Sequence, residues 1–122
     1  MRHFAALSLA LPALLAACEL TPRQECEWPH QRELRVVREE IKQVETNLDR
    51  GFRLVPTQST TGLHYCIDHW GDPELCDAED GRPMFDRRPI SRAAEEAKFQ
   101  ALIAERARLM QALNQCAAQF PE

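Results

Sequence analysis

Five cysteines are the most reactive side chains of this 122-residue chain, and their spacing opens three kinds of chemistry. Thiols pair by oxidation, ligate soft metals as thiolates, or accept a covalent modifier. Cys26, Cys66, Cys76 and Cys116 form an even set, which in an exported chain reads as two disulfides. His64 and His69 bracket Cys66 and, with Cys76, supply the two imidazoles and two sulfurs of a zinc set. No C-x-x-C occurs, however, so oxidation is expected over ligation, and no metal or cofactor is expected. Asp68, Asp72, Glu74, Asp77, Glu79 and Asp80 lack the EF-hand spacing and read as a solvated acidic loop, followed by Arg82, Arg87, Arg88 and Arg92 to neutralise it. No G-x-S-x-G, Walker loop, H-E-x-x-H or dinucleotide fingerprint is present. Ser59, Thr60 and Thr61 lie near His64 in a run that reads as loop, so the chain is not expected to be an enzyme.

The elements that must position the cysteines are helical. Leu34, Val37, Ile41, Val44 and Leu48 recur at spacings of three and four, a coiled-coil seam on a charged helix over Arg32 to Arg50. Gly51 suits its left-handed cap. A second helix is predicted from the N-cap Ser91 to Pro121, with the stripe Phe99, Leu102, Leu109, Leu113 and Cys116, widened by Ile103, Met110 and Ala117. Folding the second helix antiparallel on the first sets Leu34 against Leu109, Ile41 against Leu102 and Val44 against Phe99. Four cysteines allow several connectivities, but the same register brings Cys26 level with Cys116 and leaves Cys66 for Cys76. Arg106 interrupts the seam opposite Val37, and its head is expected to reach Glu33 or Glu40 at the edge. The predicted fold is mainly α: an antiparallel, coiled-coil-like two-helix hairpin with a long disulfide-closed connecting loop or small β-hairpin. One seam buries little area, so a homodimeric four-helix bundle is a second route to stability.

The connection over residues 52–90 is too long for a simple turn, and such segments often carry function. Leu63 to Trp70 alternates like a strand, Gly71-Asp72-Pro73 signals a turn, and Phe52 to Val55 suits a second short strand. Two dozen helical residues would lift this connection roughly 35 Å from the helix ends. Tyr65, His69 and Trp70 are the candidate partner-binding residues, because exposed aromatics on loops are common hot spots. The alternative is that Tyr65 and Trp70 cap a mini-core of Leu63, Leu75 and Phe85.

Arg2 and His3 precede an apolar run, Phe4 to Leu15, that ends in Leu15-Ala16-Ala17-Cys18. The run is too short to span a bilayer, which needs about 20 residues. This stretch resembles the lipobox of bacterial lipoproteins; a chance cysteine in an ordinary secretory signal is the alternative. The resemblance implies a signal over residues 1–17, cleavage before Cys18, a thioether diacylglycerol on its sulfur, and a fatty acyl group such as palmitate on the new amine. It also implies a cell-envelope location, lipid-anchored and facing the periplasm, with the outer membrane favoured because Glu19 rather than Asp follows the cysteine. Residues 18–30 would serve as an anchor linker and residues 31–122 as the hairpin domain, with its insertion at 52–90. Losing Arg2 takes the formal charge from −4 to about −5, which argues against nucleic acid.

Arg32-Glu33-Leu34, Arg50-Gly51-Phe52, Cys66, Cys76, Cys116 and Pro121 together look like small, uncharacterised lipoproteins of alphaproteobacteria. Relatives of that kind are sometimes labelled as an excinuclease subunit, a role opposed here by the export signal, the acidic charge and the missing nucleotide-binding loop. The expected function is a structural or protein-interaction module of the envelope, acting through its connection on another envelope protein. The alternatives are a small inhibitor or ligand-binding lipoprotein, for example against a cationic hydrolase, and a metal-storing or sensing protein with Cys66 and Cys76 reduced.

Overall fold

The computed structural model describes residues 19–59, 61–77 and 81–121. The segment over residues 1–17 that is expected to be an export signal and Cys18, expected to carry the acyl groups, lie outside the described residues, as do Thr60, Glu79 and Asp80. Helix α1 spans Pro22–Arg50 and helix α2 spans Arg92–Gln119. Between them run four strands: β1 (Phe52–Pro56), β2 (Leu63–Ile67), β3 (Pro73–Asp77) and β4 (Phe85–Pro89). The chain divides into two compact units, one ending at Arg35 and resuming at Ala107, the other Val36–Arg106.

In the first unit, α1 starts ten residues before Arg32, where the hydrophobic period begins. Thr21 is its N-cap: the Gln24 N–H donates to Thr21 Oγ1 at 3.2 Å, and the Thr21 N–H donates to Gln24 Oε1 at 2.9 Å. That reciprocal capping box, with Pro22 at the first helical position, satisfies donors the helix cannot pair internally. The segment read as a linker is therefore helical from Pro22 onward. Pro29 lies inside the helix and offers no N–H to the carbonyl four residues back, which disguises this stretch in the sequence. Cys26 is bonded to Cys116 with a Cα separation of 5.8 Å. Leu34 and Leu109 are buried, and Arg108 meets Glu33 at 3.6 Å. Glu33 thus has a partner other than Arg106, which is half-buried.

In the second unit, Val37, Ile41 and Val44 continue the buried stripe of α1, and Asn47 is buried beside them. Gly51 closes the helix at φ +76°, its N–H donating to the Asn47 carbonyl at 2.9 Å. This is the left-handed cap that a side chain would strain. Ser91 Oγ accepts the Ala94 N–H at the start of α2. Arg92 Nη2 donates to the Leu48 carbonyl at 3.1 Å, tying the start of α2 to the last turn of α1.

The fold is not the expected two-helix hairpin with a looped connection. The connection is neither a loop nor a single β-hairpin but a four-stranded antiparallel sheet in the order β1-β4-β2-β3. The reason is topological: β1 follows α1 after the single residue Gly51, and β4 ends two residues before α2. Two antiparallel helices whose ends are tied at Arg92 deliver these segments side by side, and they pair from Phe52↔Pro89 to Pro56↔Phe85. Phe85-Asp86-Arg87-Arg88-Pro89 has no period-two apolar pattern, so its strand character comes from its neighbours. Strand β2 forms a hairpin with β3 and meets β4 at Tyr65↔Phe85.

The disulfides should rank by the loop each closes, with sequence separations of 90 and 10. Replacing Cys26 and Cys116 by Ser should lower the unfolding free energy by about 4–5 kcal/mol, against about 3 kcal/mol or less for Cys66 and Cys76. Urea unfolding of the two double variants checks this order, and equal losses would show that native packing rather than unfolded-state entropy dominates.

Candidate functional site

Side chains alternate across a strand, so the pairing sorts the sheet into two faces. One face carries Leu63, Tyr65 and Ile67 of β2, opposite Asp77, Leu75 and Pro73 of β3. A single row, Pro56–Phe85–Tyr65–Leu75, crosses all four strands on it. Tyr65 and Phe85 are half-buried, while Leu63 is 70 % exposed, Leu75 63 % and Ile67 38 %. Phe52 extends the row with its ring 6.4 Å from that of Tyr65. The Arg87 guanidinium lies over the Phe52 ring at 4.1 Å and that of Arg50 at 5.4 Å, a cation–π clamp at this edge of the sheet.

The opposite face is polar and disulfide-bonded, with Glu74 and Arg88 exposed on it. Cys66 and Cys76, buried there, are bonded to each other with Cα atoms 5.8 Å apart. His64 faces Asp86 across the β2–β4 junction, with Nδ1 and Oδ1 3.0 Å apart, and its Nε2 lies 2.8 Å from the Thr61 carbonyl oxygen. Both nitrogens of His64 are occupied and both sulfurs are oxidised, so three of the four residues that resembled a zinc set are engaged in the sheet, while His69 lies apart on the following turn. Among the described residues no group of three or more His, Cys, Asp or Glu side chains is placed to hold a metal.

Between β2 and β3 the chain turns over Asp68 to Asp72. Asp68 Oδ1 accepts the Trp70 and Asp72 N–H groups, both at 2.8 Å. The Asp68 N–H donates to the Asp72 carbonyl at 2.8 Å, and Gly71 sits at φ +92°. An Asx-type carboxylate that collects two backbone donors makes a rigid turn. The turn holds Trp70 78 % exposed, its ring 4.2 Å from that of His69. The Asp72 N–H, then that of Trp70, holds the Asp68 carboxyl below its ordinary range. Of the arginines after the acidic stretch, Arg82 pairs with Glu74, whereas Arg87 serves Phe52 and Arg92 the end of α1.

His69 and Trp70 therefore share the turn, whereas Tyr65 belongs to the cross-sheet row. Leu63 and Leu75 are exposed and form no core beneath Trp70; of the expected mini-core, the pairing of Tyr65 with Phe85 and Leu75 is present. Leu63 and Leu75 share an exposed strand face with Ile67, whereas sequence reasoning assigned these two leucines to a core. Their alternation marks a shared strand face, but only the order of the strands shows that nothing lies over it in the described chain. Trp28, 56 % exposed near the start of α1, was passed over.

Two titrations should report on the sheet with opposite sign. The Thr61 carbonyl and then the Asp86 carboxylate raise the His64 pKa above 6.5 by favouring the ring that donates from both nitrogens. Its contribution to stability is full below the unfolded value and is lost as pH rises through the raised folded one. Relative to His64→Gln, the melting temperature of the wild type should therefore be higher at pH 5.5 than at pH 8.5. Asp68 behaves oppositely: its contribution is present above its unfolded value of 3.8 and is lost as pH falls through the depressed folded one. The gap between wild type and Asp68→Ala should close on acidification below that range. Pairs of melting curves across pH check both signs.

No family model, curated protein or solved structure matches this chain, so the chemistry of its own residues is the ground for its function.

Proposed function

We propose that this chain is a non-catalytic interaction module of the cell envelope, anchored by acyl groups on Cys18 and binding another envelope protein through the open face of its sheet and the Trp70 turn. The observation that carries the reading is the exposure together of Leu63, Ile67, Leu75 and Trp70 on β2, β3 and the turn that joins them. Contiguous apolar exposure of this kind is uncommon on a monomer surface and marks contact sites. Trp and Tyr supply large contact area with few rotatable bonds, and the Asp68 turn holds Trp70 in place before any partner arrives. No described helix is long and apolar enough to cross a membrane, and the lipobox-like Leu15-Ala16-Ala17-Cys18 supports lipid as the attachment. By the same likeness, with Glu19 after the cysteine, the outer membrane facing the periplasm is the proposed location.

In-cell photo-crosslinking tests the reading. A photoreactive amino acid at Trp70, Leu63 or Leu75 should give the same discrete adduct with one envelope protein, and at the exposed Gln43 of α1 it should give none. Absence of a specific adduct from all three of these positions would remove the proposal.

A further inference from the structure

The first unit carries an apolar surface of its own, independent of the sheet. Leu20, Pro22 and Trp28 meet Phe120 and Pro121 around an open cleft of about 860 Å3. Leu20 and Trp28 are half exposed, although the capping box pins Thr21 and Pro22 between them in sequence. The cleft carries little free charge. Glu27, its carboxylate, accepts from Arg23 Nε at 2.8 Å through one oxygen and from Gln31 Nε2 at 3.1 Å through the other. The remaining lining is amide and hydroxyl, from Gln24, Gln119 and Thr21. An indole among aliphatic side chains and neutral polar groups has the composition of a membrane–water interface, neither hydrocarbon core nor open solvent.

Cys18 is bonded directly to Glu19, and covalent geometry keeps its Cα within about 7 Å of that of Leu20. Acyl chains on the Cys18 sulfur would bring lipid headgroups to the cleft's own rim, with no linker to hold the protein away from them.

We propose that the Leu20–Trp28–Phe120 cleft seats on the bilayer surface, with the Trp28 indole at headgroup level, so that attachment through Cys18 also orients the protein. This rests on Cys18 being the acyl anchor. The single lipid-bearing residue then acts as one of two contacts, because burying the indole and Leu20 adds apolar area to that of the acyl chains. A two-point attachment suppresses the swivelling that one tethered residue would allow.

The test uses the full gene with Trp70→Phe, which leaves Trp28 as the single tryptophan. Protein purified from membranes is weighed intact, which reads acylation at Cys18 directly, and is then reconstituted into phosphatidylcholine vesicles containing brominated lipid. Should the mass show a free Cys18 thiol, that thiol is coupled to a maleimide phospholipid and the same reading is taken. A wrong anchor assignment is thereby separated from a wrong seat. Trp28 emission should shift to shorter wavelength and be lost when bromine lies near the headgroup, with less loss when it lies near the chain terminus. The companion Trp28→Phe protein, which reports Trp70, should keep its emission. Unquenched Trp28 in tethered protein, stronger quenching by the deep bromines, or equal quenching of Trp28 and Trp70 would each overturn the seat.

Discussion

Closure of the chain on itself by Cys26–Cys116 is the constraint on which the remaining order depends. Ninety positions separate the two sulfurs, so the bond removes from the unfolded ensemble most of the conformations in which the two helical segments are apart. The buried side chains alone are few: Leu34, Val37, Ile41, Val44 and Leu109 are the aliphatic residues removed from water among those described. A stripe of that size offsets little of the entropy lost in ordering so short a chain, and a covalent closure supplies what the apolar area does not. His30 Nδ1, in the first unit, is buried with no hydrogen-bond partner among the described residues, a cost that the few apolar contacts must also offset.

The sheet is a consequence of helix pairing rather than a separate folding event of strong local propensity. Its longest-range ladder, β1 with β4, joins segments that directly abut the helix ends, where Gly51 turns one chain out and Arg92 holds the other in place. The β2–β3 hairpin is local and carries its own disulfide, so it is the element most able to form by itself. What connects the two is narrow. Tyr65 opposite Phe85 supplies the apolar contact on one face, and His64 opposite Asp86 supplies the polar one on the other. A titratable residue at the thinnest seam of a small sheet makes the environment's acidity a variable of its cohesion.

The distribution of apolar exposure then separates two surfaces by chemistry. On the sheet, exposed aliphatic side chains share a hairpin with an indole held out by the Asp68 turn, a surface suited to another folded protein. Around Trp28, aliphatic and amide groups border a cleft whose single carboxylate is internally satisfied, a surface suited to lipid headgroups. Both expose a tryptophan, yet Trp28 lies in the second turn of a helix and Trp70 on an aspartate-centred turn.

Periodicity and spacing by themselves determined the two helices, their caps at Gly51 and Ser91, and the pairing of Cys26 with Cys116 and Cys66 with Cys76. These follow from local sequence because a helix repeats its face every three to four residues, and an antiparallel register leaves few ways to align two stripes. The four-stranded sheet and the roles of His64 and Arg87 were decided only by the tertiary structure, while the early start of α1 is local but hidden from periodicity. Asp86-Arg87-Arg88 shows no strand pattern until β1 lies beside it, and Pro29 disguises a helix that Thr21 and Gln24 have already capped. Alternation can assign Leu63, Ile67 and Leu75 to one face of a strand, but whether that face is covered depends on which strands become neighbours and what lies above them. Exposure is a property of the assembled layers, so no local pattern in the chain encodes it.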